Sequence, residues 1–302
     1  MPPEKEVFNF SELFPVNYQA HEMPPLEPYQ ARDGATLMFR RYGAESNIHV
    51  ILLHGSSAHS AYLYPFAHHL SRQHVANVYT PDLRGHGPHP LRRGDVDYIG
   101  QLEHDVADLI THIKAQAGET ARIVIGGHSS GGGLALRFAS GEYGKSVSQL
   151  ILIAPYLGHN VPMVKQDAGG WAIPNLPKII AISALNALGI KMLNGTKVLS
   201  FKLPTAYRNG SETLEYSYRL MKGMHPVNYK ECLMRTTAPL LVMIGTADES
   251  LVASEFESGI LLFKQDVKIA YFNGVSHLGI VLSEPAMTEA ASWIKEYDDV
   301  PQ

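Results

Sequence analysis

The stretch IVIGGHSSGGG, from Ile123 to Gly133, decides how the rest of the chain is interpreted. It begins with apolar β-formers, and the residues that follow Gly133 have apolar side chains at the spacing of one helix face. Residues 127–131 match the pattern G-x-S-x-G, which puts a serine on a sharp turn between a strand and a helix. Such a turn strains the backbone, so its neighbours must be small. The pattern therefore predicts Ser129 as a nucleophile.

Other kinds of glycine-rich or histidine-rich site are disfavoured, because this sequence lacks the residue spacings that define them. A P-loop ends in Gly-Lys-Ser/Thr and a dinucleotide-binding turn reads G-x-G-x-x-G, and the stretch has neither spacing. His54, His86 and His128 lie beside predicted strand ends, but no H-E-x-x-H pattern accompanies them. We therefore expect neither a cofactor nor a metal ion.

Composition limits the classes of partner and the compartment. Of 302 residues, 45% are apolar and 18% are charged, which is typical of a globular protein with a substantial core. The 25 basic and 29 acidic residues form no basic block, which argues against nucleic acid as a partner. Cys232 is the single cysteine, so no internal disulfide can form. The first residues, MPPEKEVFNFSELFPV, carry early acidic side chains and no apolar run, so we expect no signal peptide and a cytoplasmic protein.

Predicted strands and helices alternate along the chain, which is typical of βαβ units and a mostly parallel sheet. Besides the strand and helix around Ser129, strands are predicted over residues 36–42, 48–53, 77–80, 149–154, 240–244 and 267–272, and helices over residues 60–73, 102–113, 251–263 and 283–294.

One region interrupts this alternation, and it defines the predicted domains. Between Leu157 and Pro239 we find no strand-like run but several helical patterns. We interpret residues 158–237 as a helical cap above the carboxyl ends of the strands, where open α/β sheets bind ligands. Residues 31–157 and 238–302 then form the core domain. Residues 1–30 are rich in proline and predict an extended arm on the surface.

A serine nucleophile needs a base and an orienting carboxylate. In this architecture they follow the serine in the order Asp or Glu, then His, each just after a strand. Asp248 comes after the strand that begins at Leu240, with Glu249 as a weaker substitute, and His277 comes after the strand that begins at Val267. The sequence therefore predicts a Ser129–His277–Asp248 triad.

The tetrahedral intermediate needs donors for its oxyanion. The backbone N–H of Ser130 is one, since it follows the nucleophile at a helix N-terminus. The second should come from the loop after Leu53, either from Ser56 or, one residue further on, from Ser57.

These motifs resemble those of a known superfamily. They are His54-Gly55 with His59-Ser60, DLRGHG at residues 82–87, GHSSG at residues 127–131, GTAD at residues 245–248 and Ser276-His277. Together they resemble the α/β-hydrolase superfamily, and within it the monoacylglycerol lipase and lysophospholipase-like serine hydrolases. The resemblance covers about residues 35–295 and implies an α/β-hydrolase fold with a cap inserted after the sixth strand.

The predicted cap is the part of the sequence that indicates the chemical character of the substrate. Residues 176–193 are apolar on nearly all sides, which suits a cap helix packed on the core or a lid that meets lipid transiently at a membrane surface. Tyr216, Tyr218 and Met221 are candidates for the floor of an apolar pocket, although the same spacing fits the interior of the cap.

The sequence thus predicts a serine carboxylic ester hydrolase whose substrate is a small ester or lipid with a hydrophobic acyl chain. Two alternatives stay open. The same triad could serve thioester, lactone or C–C bond hydrolysis or acyl transfer, or the fold could bind a ligand without catalysis. The oligomeric state is not predicted.

Overall fold

The computed structural model describes residues 8–13, 23–165 and 170–296. In chain order the strands are β1 (Leu26–Gln30), β2 (Thr36–Tyr42), β3 (Ile48–Leu53), β4 (Asn77–Pro81), β5 (Arg122–His128), β6 (Gln149–Ile153), β7 (Ala172–Pro174), β8 (Lys197–Phe201), β9 (Glu215–Ser217), β10 (Leu240–Gly245) and β11 (Val267–Phe272). The α-helices are α1 (Tyr64–Arg72), α2 (Gln101–Ala117), α3 (Ser130–Ala139), α4 (Leu176–Ala187), α5 (Tyr218–Gly223), α6 (Tyr229–Arg235), α7 (Glu255–Leu261) and α8 (Glu284–Glu296).

Eight strands form one central sheet in the order β1-β2-β4-β3-β5-β6-β10-β11. Strand β2 is antiparallel to both of its neighbours, and all pairs from β4 to β11 are parallel. Every residue of β3, β4, β6 and β10 is buried, as expected for parallel strands whose two faces are both covered. The prediction of a mostly parallel α/β sheet is confirmed.

The N-terminal residues differ from the predicted surface arm. Leu26–Gln30 pairs with β2 as the edge strand of the sheet. Phe8 and Phe10 are each only 5% exposed. Residues 1–7 and 14–22, which also belong to the predicted arm, lie outside the described residues.

The predicted cap also differs, because it is not purely helical. Strands β7, β8 and β9 form a separate antiparallel sheet between β6 and β10 in sequence. These strands are three to five residues long, too short to produce a recognisable alternation in the sequence. Helix α6 packs against α3, so the end of the predicted cap also covers the core domain.

Helix α4 lies within the apolar stretch of residues 176–193 and ends before Gly189, whose φ of +80° leaves the helical region. Much of its apolar surface is exposed, with Leu176 at 55% and Ile180 at 67%. None of the described helices combines the length and the apolar character needed to cross a membrane.

The turn from β5 into α3 is strained and tightly enclosed. Ser129 has φ 56° and ψ −122°, a conformation that non-glycine residues rarely adopt. Its N–H donates to the carbonyl of Ile153 and its own carbonyl accepts from the N–H of Tyr156, both at 2.9 Å. A Cβ atom on Gly127 would lie less than 3.0 Å from the carbonyl oxygen of Gly131. The glycines are therefore required for the chain to pass, as the sequence predicts.

Gly127→Ala should destabilise the protein by about 3 kcal/mol or more, because the added methyl group meets backbone atoms that cannot move aside. Urea denaturation measures the effect. Gly43→Ala is the matched control, since a Cβ atom there would have no heavy atom within 4 Å. Equal free energies of unfolding for the two variants would contradict the enclosed turn.

Candidate active site

The structure brings the three predicted triad residues together at the carboxyl ends of β5, β10 and β11. His277 Nε2 lies 3.0 Å from Ser129 Oγ, and His277 Nδ1 lies 2.7 Å from Asp248 Oδ2. Asp248 and His277 are buried, at 1% and 3% exposure. This is the geometry in which a histidine can take the proton of a serine hydroxyl while a carboxylate fixes its ring.

The surroundings of Asp248 favour its charged form. Its Oδ1 accepts the N–H groups of Ser250 at 2.9 Å and Leu251 at 2.8 Å. Burial alone would raise the pKa of this carboxyl, but the charge and hydrogen bond of His277, together with these two N–H donors, lower it below its usual value. Asp248 therefore stays ionised and can stabilise an imidazolium ion.

Two further side chains hold the backbone of His277. Glu249 Oε2 accepts its N–H at 2.8 Å, and His128 Nε2 donates to its carbonyl at 2.9 Å. Glu249 thus bonds the main chain rather than the imidazole, which favours Asp248 over Glu249 as the acid. The role of His128 could not be read from its position within the G-x-S-x-G pattern.

The candidate oxyanion donors lie on facing elements. Ser130 begins α3, in the first turn, where N–H groups have no carbonyl partner within the helix. The hydroxyl of Ser56 donates to the hydroxyl of Ser130 at 2.9 Å, so the two residues are adjacent. The N–H of Ser57 donates to the hydroxyl of Tyr216 at 2.9 Å. Because that N–H is already engaged, the geometry favours Ser56 over Ser57.

Residues of the cap hold the loop that carries Ser56 and Ser57. The Tyr216 hydroxyl accepts the Ser57 N–H and lies 2.6 Å from His86 Nε2, to which it donates. The N–H of Thr213 donates to the carbonyl of Ser57 at 2.9 Å. These contacts join β9 and the residues before it to this loop, which we call the oxyanion loop because it carries the candidate donor Ser56. No motif in the sequence indicated these contacts.

Tyr216, Tyr218 and Met221, the predicted floor of the pocket, are not among the residues that line the pocket in front of Ser129. Tyr216 is buried behind the oxyanion loop. The hydroxyl of Tyr218 is 2.9 Å from Ser183 Oγ, within a small cluster of the cap interior against which Met221 packs. The spacing of these residues in the sequence therefore fits packing in the protein interior, which was the alternative interpretation.

Three buried histidines act as neutral hydrogen-bonding groups. Burial lowers the pKa of His54 to about 4 and the pKa of His128 to about 3, and it lowers the pKa of His86 well below its usual value. His128 Nδ1 lies 2.9 Å from the hydroxyl of Tyr62, which in turn accepts the N–H of Gly55 at 2.7 Å. Within the described residues, no group of three or more His, Cys, Asp or Glu side chains could hold a metal ion.

An apolar pocket of about 250 Å³ opens in front of Ser129 and His277. Its apolar walls come from four parts of the chain, namely the N-terminal segment, the loop after β3, the loop after β11 and the cap. They include Phe8, Phe10, Leu13, Ala58, Trp171, Leu203 and Tyr207. An apolar group bound there would lie next to the serine hydroxyl.

The fold and the site geometry define an α/β-hydrolase. Residues 44–285 match the family described as serine aminopeptidase S33, and the chain belongs to that family. A search of curated proteins by sequence finds no match.

Solved structures agree on the fold. A monoglyceride lipase from Saccharomyces cerevisiae, in a soluble variant with a substrate analogue, is 19% identical with a TM-score of 0.66, over 94% of this chain and 98% of that one. The monoacylglycerol lipase of Paleococcus ferrophilus is 20% identical with a TM-score of 0.63, over 86% and 99%. A thermophilic esterase from Thermogutta terrifontis is 19% identical with a TM-score of 0.62, over 90% and 98%. At such identities the likeness concerns the fold, and the resemblance predicted from the motifs is confirmed at that level.

Asp248→Asn should change how stability depends on pH. A carboxyl whose folded pKa is lowered contributes stability above its unfolded pKa of about 3.9, and this contribution is lost as the pH falls through the folded pKa. The difference in free energy of unfolding between wild type and variant should therefore be smaller in acid, below about pH 5, than at pH 7. Urea denaturation across this range measures it, and a difference that is the same at pH 7 and in acid would contradict the assignment.

Tyr216→Phe should destabilise the protein by about 1–3 kcal/mol, because it leaves the Ser57 N–H without its acceptor while the ring keeps its packing. We also expect kcat to fall with KM little changed, since the oxyanion loop loses a support. The control is Tyr229→Phe, whose hydroxyl makes no hydrogen bond among the described residues. A Tyr216→Phe enzyme as stable and active as this control would disprove the supporting role.

Proposed function

We propose that the protein is a serine carboxylic ester hydrolase that acts through an acyl-enzyme on esters with a hydrophobic acyl chain. The observation that carries the proposal is the hydrogen-bonded array of Ser129, His277 and Asp248 at the base of an apolar pocket. The likeness to lipases and esterases of the same fold supports it.

In the proposed mechanism, Ser129 Oγ attacks the ester carbonyl while His277 Nε2 takes its proton. The N–H groups of Ser56 and Ser130 stabilise the oxyanion of the tetrahedral intermediate. His277 then returns the proton to the leaving alcohol, and Asp248 stabilises the imidazolium ion throughout. A water molecule activated by His277 releases the acid and restores Ser129.

The family description raises peptide hydrolysis as a second activity, and the pocket argues against it. An aminopeptidase needs a group that recognises the substrate ammonium ion, and Glu212 is the carboxylate among the described residues that line the pocket. Its Oε1 and Oε2 accept the N–H groups of Asn209 and Gly210, at 2.6 and 3.0 Å. The backbone of residues 209–210 thus holds the carboxylate in place, and the other walls, which are mostly apolar, suit an uncharged acyl group.

Thioester, lactone or C–C bond hydrolysis and acyl transfer would use the same side chains, so the choice of ester depends on the apolar pocket and on the likeness in fold. A purely ligand-binding role would have no use for an aligned serine, histidine and aspartate. The substrate panel below separates ester hydrolysis from thioester and peptide hydrolysis, and the Ser129→Ala variant separates catalysis from ligand binding alone.

We also propose that the cap touches a membrane surface transiently. The apolar side chains that α4 and the following loop expose to solvent support this contact: Leu176 (55%), Ile180 (67%), Leu188 (77%) and Met192 (85%). Such a patch would bring the pocket close to esters dissolved in lipid.

Ser129→Ala should lower kcat/KM for p-nitrophenyl esters by at least about 10³-fold, because it removes the hydroxyl that lies 3.0 Å from His277 Nε2. The panel should contain esters of graded chain length, a monoacylglycerol, a lysophospholipid, a thioester and an aminoacyl p-nitroanilide. We expect the esters to be the best substrates and the anilide to be inert. Ser258→Ala, on the exposed face of α7, is the control. Unchanged ester hydrolysis by a pure, folded Ser129→Ala enzyme would refute the proposal.

A further inference from the structure

Residues 8–13 lie over the active site, not along the surface as the sequence suggested. The ring of Phe8 stacks on the imidazole of His277, with centroids 4.9 Å apart and planes inclined by 20°. Phe8 is 5% exposed, so the pair is closed to solvent on that side. A residue near the start of the chain thus covers the proposed general base.

The same segment joins the cap through aromatic contacts. The Phe10 ring centroid is 5.1 Å from that of Trp171 and 5.8 Å from that of Tyr207. Phe8 also meets Trp171 edge-on, at 5.6 Å. With Leu203 and Leu278 these side chains form a small apolar cluster that is separate from the main core.

A polar contact fixes the segment beside His277. The hydroxyl of Ser276 donates to Glu12 Oε2, and Glu12 Oε1 accepts the side-chain amide of Asn9 at 2.9 Å. Ser276 directly precedes His277, so the segment is attached to the loop that carries the base. Aromatic packing and this hydrogen bond hold the segment in one position.

We propose that Phe8 and Phe10 determine acyl-chain specificity by forming the outer wall of the pocket. The pocket holds about 250 Å³ with the segment in place, below the range of about 300–1,000 Å³ usual for ligand sites. The two phenyl groups line it directly, so their bulk limits the space left for an acyl chain. The enzyme therefore prefers esters of short and medium acyl chains, and smaller side chains at these two positions admit longer ones. This inference rests on the proposed ester hydrolysis.

The test compares Phe8→Ala, Phe10→Ala and the double variant with wild type on p-nitrophenyl acetate, butyrate, octanoate and laurate. We expect the ratio of kcat/KM for laurate to that for butyrate to rise by at least about 10-fold, because removing a pocket wall changes discrimination by that order. Phe263→Ala, at a phenylalanine that packs on Tyr229 away from the pocket, should keep the wild-type ratio.

The Glu12→Ala variant tests the same inference without removing an apolar side chain from the pocket. It breaks the contact with Ser276 and should raise the same ratio. A Phe8 that only held His277 would lower activity equally on every ester. An unchanged ratio in all these variants would therefore overturn the inference while leaving Ser129-dependent hydrolysis intact. Ester hydrolysis that survives Ser129→Ala would instead refute the proposed function.

Discussion

The structure depends above all on one strained residue, Ser129, held in an unfavourable backbone conformation at the end of β5. Its neighbours make that conformation stable, because backbone hydrogen bonds with Ile153 at the end of β6 and with Tyr156 just beyond it hold it from both sides. Close packing around the turn offsets the strain energy, and this packing requires glycine at positions 127 and 131 because a Cβ atom there would collide with the backbone. As a result, the hydroxyl faces the pocket and the next N–H begins a helix.

Around this turn, hydrogen bonds of neutral side chains link several loops to one another. Tyr62 and His128 link Gly55 to the carbonyl of His277, so the oxyanion loop and the loop of the base share one chain of hydrogen bonds. Tyr216 joins the same oxyanion loop to the cap. Because burial keeps the pKa of His128 low, this support does not change charge near neutral pH. A movement of the cap would therefore shift the oxyanion loop, because Tyr216 is hydrogen-bonded to Ser57.

The sequence predicted the central sheet, and it predicted three site residues that the structure brings together, because both leave local signals. Buried parallel strands are continuous apolar runs, and Asp248 and His277 each follow one of them. The remaining features depend on contacts between distant residues. Glu12 and Ser276 are 264 positions apart, and a short segment such as Phe8-Asn9-Phe10 has no periodicity that could reveal its place. The three cap strands were missed for a related reason, since each is stabilised mainly by its neighbours in the sheet.

The central claim is that Ser129, and not the adjacent Ser130, is the activated nucleophile. The most direct measurement is peptide mapping by mass spectrometry after reaction with a fluorophosphonate, with Ser130→Ala and Ser129→Ala enzymes alongside wild type. We expect a single adduct on Ser129 in wild type, an adduct still present in Ser130→Ala, and none in Ser129→Ala. An adduct on Ser130, or wild-type enzyme that resists labelling while folded, would contradict the account.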